Sequence, residues 1–410
     1  MAHLRSLYPF HADRGFGDAG VYLGTNVTAG LDGFFYDPFE FYDAKLVENP
    51  NIIVCGTIGS AKSGTVKALI KRCRAVYPDR FTAVIDPKGE YTALAEWLGI
   101  PVIKLHPGGR HQLNPMEAGD DAAHGDAVLA RQGLACQMLA GVLGRTLAGV
   151  EEAVVSWGVA SLSQRGGVFT IRDLNAALDD PDTELLRIAR LSPLEMAKTL
   201  SDVRFGLAKL CDRTLRGMFD APTNVDVDWR HGPGVVLDLS AIHNDPQVLP
   251  LVMLAASHWL GDAMRRPGRQ KLQVIDEAWA AVRHGADYLQ ASLKYARQWG
   301  VANVLVCHRP KDLSAQNDDG TASAKIAGGL LADIETRILL RQPDEEVPAM
   351  AGLFELSARE QAILTALPTG RAIWKIGRRS AVVQVIRTPI ETELFWTDAA
   401  MATVPGGQAA

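Results

Sequence analysis

The sequence predicts an α/β fold with a mainly parallel sheet, a mostly helical insertion and a C-terminal β-hairpin. Three observations support this prediction. Short apolar runs alternate with segments of helical periodicity, in the order that is typical of parallel strands joined by helical crossovers. Between residues 119 and 228 such strand-like runs nearly disappear, and Ala, Leu, Arg and Glu dominate. Near the end of the chain, two apolar runs at residues 371–376 and 381–386 flank a short turn.

The predicted strands are short runs of β-branched and aliphatic residues. After the first of them, Val66, Leu69 and Ile70 recur at the spacing of one helix face, which predicts a helix after a Gly- and Ser-rich turn. The aromatic stretch at residues 34–42 is interpreted as an edge strand that Pro38 breaks, because proline donates no hydrogen bond to a sheet. The runs interpreted as parallel strands lie at residues 51–55, 81–85, 101–105, 234–239, 272–275, 303–307 and 336–340.

The length of 410 residues suits either two to three domains or one large domain with an insertion, and the strand pattern favours the second organisation. We expect residues 1–45 to pack on the core and residues 396–410 to form a flexible tail. The core itself is expected to comprise residues 46–118 and 229–395, with the helical insertion at 119–228 between them.

The composition excludes several classes of protein. The formal net charge is −5, so a basic protein that coats nucleic acid is not expected, although a local basic groove is compatible with this charge. The five cysteines are scattered and never spaced as CxxC, which argues against a disulfide framework and a zinc cluster. No apolar run reaches the roughly 20 residues that a membrane-spanning helix needs. We therefore expect a cytoplasmic protein without a membrane span.

The segment GTIGSAKS at residues 56–63 lies between a predicted strand and a predicted helix. It follows the phosphate-binding pattern G-x-x-x-x-G-K-[ST], except that Ala61 replaces the second glycine. In such a loop, backbone N–H groups and the helix N-terminus bind phosphate, Lys62 reaches the β- and γ-phosphates of ATP, and the Ser63 hydroxyl binds Mg²⁺. The alternative is a strand–turn–helix connection that merely needs glycines. The residues predicted to contact the nucleotide are Gly56, Gly59, Ser60, Ala61, Lys62, Ser63 and Gly64.

The effect of Ala61 depends on its backbone conformation. A β-carbon is unfavourable where φ is positive or where phosphate must approach closely. If Ala61 has helical φ and ψ, the substitution is harmless; otherwise it weakens nucleotide binding.

Two adjacent carboxylates follow the apolar run at residues 272–275. In this Walker B arrangement, Asp276 belongs to the Mg²⁺ shell and Glu277 polarises the attacking water. Most Asp-Glu pairs lie on solvated faces, so the pair alone is weak evidence. Because the phosphate-binding segment and this pair both follow predicted parallel strands, we expect them at the same edge of the sheet.

Several motifs occur here in one order: the phosphate-binding segment, DPKGEY at residues 86–91, Leu-Asn-Pro at 113–115, VIDEAW at 274–279 and Cys-His-Arg at 307–309. This order resembles the HerA/FtsK-related P-loop ATPases, specifically the type IV secretion and conjugation ATPases of the VirB/TraC type found in mobile elements of actinobacteria. The resemblance covers roughly residues 34–390. It implies a RecA-like P-loop ATPase core, ATP and Mg²⁺ as cofactors, and a hexameric ring that works with secretion-channel components, either in the cytoplasm or at the inner face of the membrane.

The resemblance also implies roles for individual residues. Lys62 and Ser63 correspond to the Walker A pair, and Asp276 and Glu277 to the Walker B pair. His308 stands where the family usually has a glutamine that senses the γ-phosphate through a hydrogen bond. An imidazole can donate such a bond, and the alternative is a histidine with a purely structural bond at a strand end.

A ring ATPase needs an arginine finger from the neighbouring subunit. Arg297 is our first candidate for this catalytic role, followed by Arg337 and Arg341; the alternative for each is a solvated or structural arginine. We interpret Glu90 as a partner in a loop salt bridge, the alternative being a second acid beside the phosphates. Trp279 is interpreted as a packing residue.

Three functions remain compatible with these residues. The first is an ATP-hydrolysing motor that powers channel assembly, or DNA or protein transfer, in a conjugative or type IV secretion system. The second is a DNA translocase of the HerA/FtsK type, with DNA as the partner. The third is a nucleotide-binding switch whose ATPase activity Ala61 and His308 reduce.

Overall fold

A single mixed sheet organises the protein. The computed structural model describes residues 16–28, 31–117, 124–180, 183–309 and 334–396, together with Gly329 and Leu331. Within these residues the sheet has eleven strands. In chain order they are β1 (Val21–Asn26), β2 (Asp32–Tyr36), β3 (Ile52–Cys55), β4 (Phe81–Asp86), β5 (Val102–Lys104), β6 (Gly234–Asp238), β7 (Lys271–Ile275), β8 (Val301–Cys307), β9 (Thr336–Leu339), β10 (Arg371–Ile376) and β11 (Arg379–Val385).

The strands from β3 to β9 are parallel and form the larger part of the sheet, in the order β9-β3-β8-β7-β4-β6-β5. Strands β3, β4, β6, β7 and β8 are buried along their whole length. Continuous burial is typical of parallel strands that have helices on both faces of the sheet, which explains why these strands are unbroken apolar runs in the sequence. The predicted α/β fold with a mainly parallel sheet is confirmed.

The other four strands extend one edge of the sheet in antiparallel pairs, in the order β2-β1-β11-β10, with β10 beside β9. Strands β10 and β11 form the predicted hairpin, in which Ile376 pairs with Arg379 across a two-residue turn. The predicted edge strand exists as β2 but ends at Tyr36. Pro38 begins a helix instead of breaking a strand, because Asp37 caps that helix by accepting hydrogen bonds from the backbone N–H groups of Phe39 and Glu40.

Helices cover both faces of the sheet. Helices α4 to α9 lie between β5 and β6 in the chain and form the predicted helical insertion, which a π-helical turn at Leu210–Thr214 closes. In chain order the helices are α1 (Pro38–Asp43), α2 (Lys62–Val76), α3 (Thr92–Leu98), α4 (His124–Leu143), α5 (Gly149–Arg165), α6 (Ile171–Asp179), α7 (Thr183–Ala189), α8 (Pro193–Thr199), α9 (Ser201–Lys209), α10 (Val248–Arg265), α11 (Ala278–Trp299), α12 (Val347–Phe354), α13 (Ala358–Leu364) and α14 (Pro389–Leu394).

The sheet separates two hydrophobic cores. Along β3 the side chains alternate, so that Ile53 faces one core and Val54 faces the other. The first core contains α10, α11 and the helical insertion, whereas the second contains α2 and the antiparallel edge. The insertion therefore shares its core with the sheet, and the segment boundaries expected from the sequence stay predictions. Among the described helices, none combines the length and the apolar character that a membrane crossing requires.

Candidate nucleotide-binding site

The carboxyl ends of β3, β4, β7 and β8 meet at one edge of the sheet, where open α/β sheets bind ligands. A cavity of about 340 Å³ lies there. The structure brings together His308 and most of the residues expected from the two motifs; of the predicted nucleotide contacts, Gly56 and Ser60 do not line the cavity. The lining comprises Thr57, Ile58, Gly59, Ala61, Lys62, Ser63, Gly64, Lys88, Glu90, Asp276, Glu277, His308, Thr369, Arg387, Thr392, Phe395 and Trp396.

The loop at residues 56–61 reverses direction between β3 and α2. Gly59 has a φ of 76°, a left-handed conformation that glycine adopts without steric cost. Ala61, just before α2, has a φ of 77° and a ψ of 34° and is therefore also left-handed. For an alanine this conformation costs roughly 1–2 kcal/mol. The first alternative for Ala61, helical φ and ψ, is therefore wrong, and the residue adopts a conformation that favours glycine.

The Lys62 side chain is buried and points back into this loop. Its ammonium group donates hydrogen bonds to the carbonyl oxygens of Gly56, at 2.6 Å, and Thr57, at 3.1 Å. Burial lowers the pKa of Lys62, while the charges of Asp276 and Glu277 act in the opposite direction. Ser60, also in the loop, is buried, and its hydroxyl donates to the Thr57 carbonyl instead of lining the cavity.

Asp276 follows β7 directly and is buried. Its Oδ1 accepts the backbone N–H of Glu277 at 2.9 Å, whereas its buried Oδ2 has no hydrogen-bond partner within the described part of the chain. Burial and the neighbouring charge of Glu277 raise the pKa of Asp276 to about 7. An orphaned carboxylate oxygen and the Ser63 hydroxyl, which lines the same cavity, are ligands of the kind that Mg²⁺ takes. These residues therefore fit the cation.

Three donors hold the Glu277 carboxylate. Trp279 Nε1 donates to Oε2 at 2.6 Å, His308 Nε2 lies 3.1 Å from Oε1, and Lys88 forms an ion pair with Oε1. Burial acts to raise the pKa of Glu277, but the hydrogen bonds from His308 and Lys88 outweigh it and hold the pKa well below its usual range. Glu277 is therefore ionised. Trp279 packs against the first hydrophobic core, as predicted, and its indole N–H also orients this carboxylate.

The DPKGEY segment supplies Lys88, which the sequence reasoning did not single out. Asp86, at the end of β4, accepts the backbone N–H groups of Glu90 at 3.1 Å and Tyr91 at 2.8 Å, and these bonds fix the turn. Burial raises the pKa of Asp86 to about 6, although the two N–H groups act to lower it. Glu90 lines the cavity and forms no ion pair within the described residues, so the predicted loop salt bridge was wrong.

The three arginine-finger candidates lie in different places. Arg297 is exposed in the last turn of α11, and the 20 residues that separate it from Glu277 span roughly 30 Å of helix. It does not reach the cavity of its own chain, and its role in a neighbouring subunit stays a prediction. Arg337 donates to the carbonyl of Ile334, whereas the exposed Arg341 lies beside the loop, because its carbonyl accepts the N–H of Thr57 at 3.0 Å.

Sequence reasoning missed the wall of the cavity that follows β11. Arg387, Phe395 and Trp396 line it, and no contiguous motif indicates them. A β-carbon at Gly64 would collide with the Arg387 guanidinium, so this arginine lies directly over the first turn of α2 and would have to move if residue 64 carried a side chain. Trp396 belongs to the segment expected to be a flexible tail; the remainder of that segment, 397–410, lies outside the described residues.

No protein-family model and no curated protein matches the chain. Among solved structures, VirB4 of Thermoanaerobacter pseudethanolicus is similar with a TM-score of 0.75 and 18% identity, covering 92% of this chain and 100% of that one. The bacterial conjugative coupling protein TrwB, in an unbound monoclinic form, is similar with a TM-score of 0.60 and 16% identity, covering 82% and 84%.

The plasmid coupling protein TrwB in complex with ADP and Mg²⁺ is also similar, with a TM-score of 0.58 and 15% identity, over 82% of this chain and 85% of that one. At these identities the likeness concerns the fold. It confirms the RecA-like P-loop ATPase fold that the resemblance implies. The chain therefore has the fold of VirB4 and of the conjugative coupling protein TrwB.

Proposed function

We propose that this protein is an ATP-hydrolysing motor of a conjugative or type IV secretion system, which powers channel assembly or the transfer of DNA or protein. The observation that carries the proposal is the convergence of Lys62, Ser63, Asp276 and Glu277 on one cavity, although the two pairs are more than 200 residues apart in the sequence. A strand–turn–helix connection that merely needed glycines would not require buried carboxylates opposite the loop.

Lys62 and the N–H groups at the start of α2 would bind the phosphates of ATP. To do so, the Lys62 ammonium exchanges its hydrogen bonds with the carbonyls of Gly56 and Thr57 for phosphate oxygens, which are stronger acceptors. Ser63 and Asp276 would hold Mg²⁺ beside the β- and γ-phosphates. When bound, the cation neutralises charge that develops on the phosphoryl oxygens.

Glu277 would act on the attacking water. Its carboxylate is ionised, and three donors fix its direction, so it can accept a proton from a water in line with the γ-phosphate. His308 contacts both this carboxylate and Lys62, a position from which the imidazole can detect the γ-phosphate. Removal of the carboxylate charge should therefore affect hydrolysis and leave binding intact.

The ring and its partners form the second part of the proposal. A hexamer would bring an arginine from one subunit to the cavity of the next, and Arg297 is the first candidate because it is exposed and remote from its own cavity. The other partners would be channel components of the secretion system. The protein would work in the cytoplasm or at the inner face of the membrane.

An ATPase assay over a range of protein concentrations, with and without DNA, tests this function. We expect a turnover per subunit that rises with protein concentration, because each site needs its neighbour. Lys62→Ala should abolish the ATP-dependent rise in melting temperature. For the wild type, ATP at 100 times its Kd should raise the free energy of unfolding by about 2.7 kcal/mol. Glu277→Gln should keep this rise but lower turnover by about 10²–10⁴-fold. The proposal would be contradicted if ATP did not change the melting temperature of the wild-type protein.

Two other candidate functions give different results in the same assay. The left-handed Ala61 favours a nucleotide-binding switch, because strain in the loop reduces the stability of the phosphate-binding conformation. A switch would bind ATP and assemble, yet turn over slowly at every protein concentration. A DNA translocase of the HerA/FtsK type would instead show turnover that DNA stimulates strongly.

A further inference from the structure

The wall that follows β11 has no part in the phosphate-binding and water-activating roles described above. It consists of residues 387–396, which we call the C-terminal wall, and it lines the cavity through Arg387, Thr392, Phe395 and Trp396. We propose that the C-terminal wall is the nucleoside half of the site, with Trp396 stacking on the base and Arg387 bound to the phosphate chain. This inference rests on the proposed function, because it requires that the cavity bind a nucleoside triphosphate.

Arg387 has the contacts of a ligand-binding group. Its guanidinium lies over Gly64, in the first turn of α2, and 5.8 Å from the centre of the Phe395 ring. Within the described residues Arg387 forms no hydrogen bond and no ion pair. Burial lowers the pKa of its guanidinium, and the nearby charge of Glu391 acts to raise it. A guanidinium carries five donors in a planar fork that matches phosphate oxygens. The first turn of α2 is also where the phosphate chain would lie, so the unused donors of Arg387 face the expected position of the ligand.

Trp396 supplies the apolar surface that a base requires. The side chain is 59% exposed although it is large and aromatic, and it lines the same cavity as Ile58, which is 81% exposed at the tip of the phosphate-binding loop. Two exposed apolar side chains on one polar cavity lose water-accessible area when a flat base packs against them. The indole plane stacks on any base, because every base has a π-face.

The polar groups at this end of the cavity predict how selective the site is. Among the described lining residues near the C-terminal wall, the uncharged polar groups are the hydroxyls of Thr369 and Thr392. Both hydroxyls already donate to backbone carbonyls, Thr369 to Gly59 at 3.5 Å and Thr392 to Thr388 at 3.1 Å. Each can therefore only accept from a base, and adenine and guanine both carry an exocyclic amino group that donates. The site should therefore hold the base by stacking and bind ATP and GTP with similar affinity.

The C-terminal wall is anchored to α2 independently of any ligand. Glu391 accepts hydrogen bonds from Arg72 at 2.7 Å and from the backbone N–H of Thr388 at 3.0 Å, and it pairs with Lys71. The wall therefore stands in place before the nucleotide arrives, and a substitution of Trp396 or Arg387 should leave it folded.

Titrations with three ligands in the presence of Mg²⁺ separate base binding from phosphate binding: a non-hydrolysable ATP analogue, a non-hydrolysable GTP analogue and tripolyphosphate. Trp396→Ala should weaken the binding of both nucleotides about 5- to 100-fold and leave the binding of tripolyphosphate unchanged. Trp396→Phe, which keeps an aromatic ring, should remain within about threefold of the wild type. Arg387→Ala should weaken the binding of all three ligands about 10- to 100-fold.

Matched controls are Trp97→Ala, an exposed tryptophan on α3 outside the cavity, and Arg378→Ala, in the hairpin turn. Both should bind like the wild type. Tryptophan fluorescence gives a second measure of stacking that does not depend on the alanine variant. We expect nucleotide to quench the fluorescence of the wild type and this quenching to be lost in Trp396→Phe. The inference is overturned if Trp396→Ala binds the nucleotides with wild-type affinity, or if it loses affinity for tripolyphosphate by the same factor. It is also overturned if the wild-type affinities for the ATP and GTP analogues differ by more than about tenfold. A wild type that binds none of the three ligands would instead contradict the proposed function.

Discussion

His308 Nε2 lies 3.1 Å from Oε1 of Glu277, at the point where β8 ends beside β7. The other ring nitrogen, Nδ1, lies 2.9 Å from the ammonium of Lys62. Since an ammonium group only donates, Nδ1 accepts from Lys62 and Nε2 donates to Glu277. The ring therefore links the lysine that would bind phosphate to the acid that would activate water. This link explains how a histidine can stand where the resembling ATPases have a glutamine.

His308→Ala should separate binding from hydrolysis. The variant removes one of the three donors that orient Glu277, so we expect turnover to fall about 10²-fold while the affinity for ATP stays within a few-fold. Turnover and nucleotide titration measure the two effects. His308→Gln is the matched variant, because a side-chain amide can also accept from Lys62 and donate to Glu277. It should keep most of the activity; an equal loss in both variants would remove the link from the mechanism.

Ala61→Gly should stabilise the protein. The left-handed backbone at this position suits glycine, so the substitution removes strain and should raise the free energy of unfolding by about 1 kcal/mol. Chemical denaturation measures this change, and a parallel ATPase assay shows whether the strained loop limits turnover. The control is Ala176→Gly, at an exposed helical position in α6, which should lose about 1 kcal/mol. A loss of stability in both variants would mean that the loop holds Ala61 without strain.

Most of the sheet could be predicted from the sequence because buried parallel strands are continuous apolar runs, as in β3 and β8. Strand β1 was not predicted, since it mixes an exposed tyrosine with a glycine and a threonine and lies on the antiparallel edge. Helix α1 was also missed. Pro38 looked like a strand breaker, although Asp37 before it and the proline at the first turn together form a helix start.

The candidate site could be predicted only where its residues are contiguous in the sequence. Lys62 and Ser63, or Asp276 and Glu277, are recognisable because each pair follows its own strand. Trp279 and the C-terminal wall are different, because their roles arise from contacts between segments that are distant in the chain or from side-chain direction. The strain at Ala61 likewise depends on backbone angles that the pattern of residues leaves open.

Trp279→Phe should reduce hydrolysis with little effect on nucleotide affinity. The indole N–H fixes Oε2 of Glu277 at 2.6 Å, and phenylalanine keeps an aromatic ring but removes this donor. A carboxylate free to rotate is less often aligned with the water, so kcat should fall about tenfold. Steady-state kinetics should show the loss in kcat and an unchanged KM. Trp299→Phe, at the other end of α11, serves as the control. An unaltered kcat in Trp279→Phe would show that the other two donors suffice.

Glu391→Gln should destabilise the protein in a pH-dependent manner. Although burial acts to raise it, the pKa of Glu391 is lowered to about 2 by the hydrogen bonds from Arg72 and from the backbone N–H of Thr388. A lowered pKa means that the ionised carboxylate stabilises the folded protein above the pKa of the unfolded chain, about 4.5, and that this stabilisation is lost as the pH falls towards 2. Because solvent screens part of the ion pair, we expect a deficit of about 1–3 kcal/mol at pH 7.

Urea denaturation at pH 7, 5 and 3.5 measures this deficit. It should be the same at pH 7 and pH 5, and smaller at pH 3.5, where the unfolded wild-type chain has already taken up a proton that the folded protein resists. Glu393→Gln, on the exposed side of the same helix, should change the stability by less than about 0.5 kcal/mol at every pH. A deficit that is independent of pH would mean that Glu391 holds the C-terminal wall through shape and neutral hydrogen bonds, and that its charge contributes nothing.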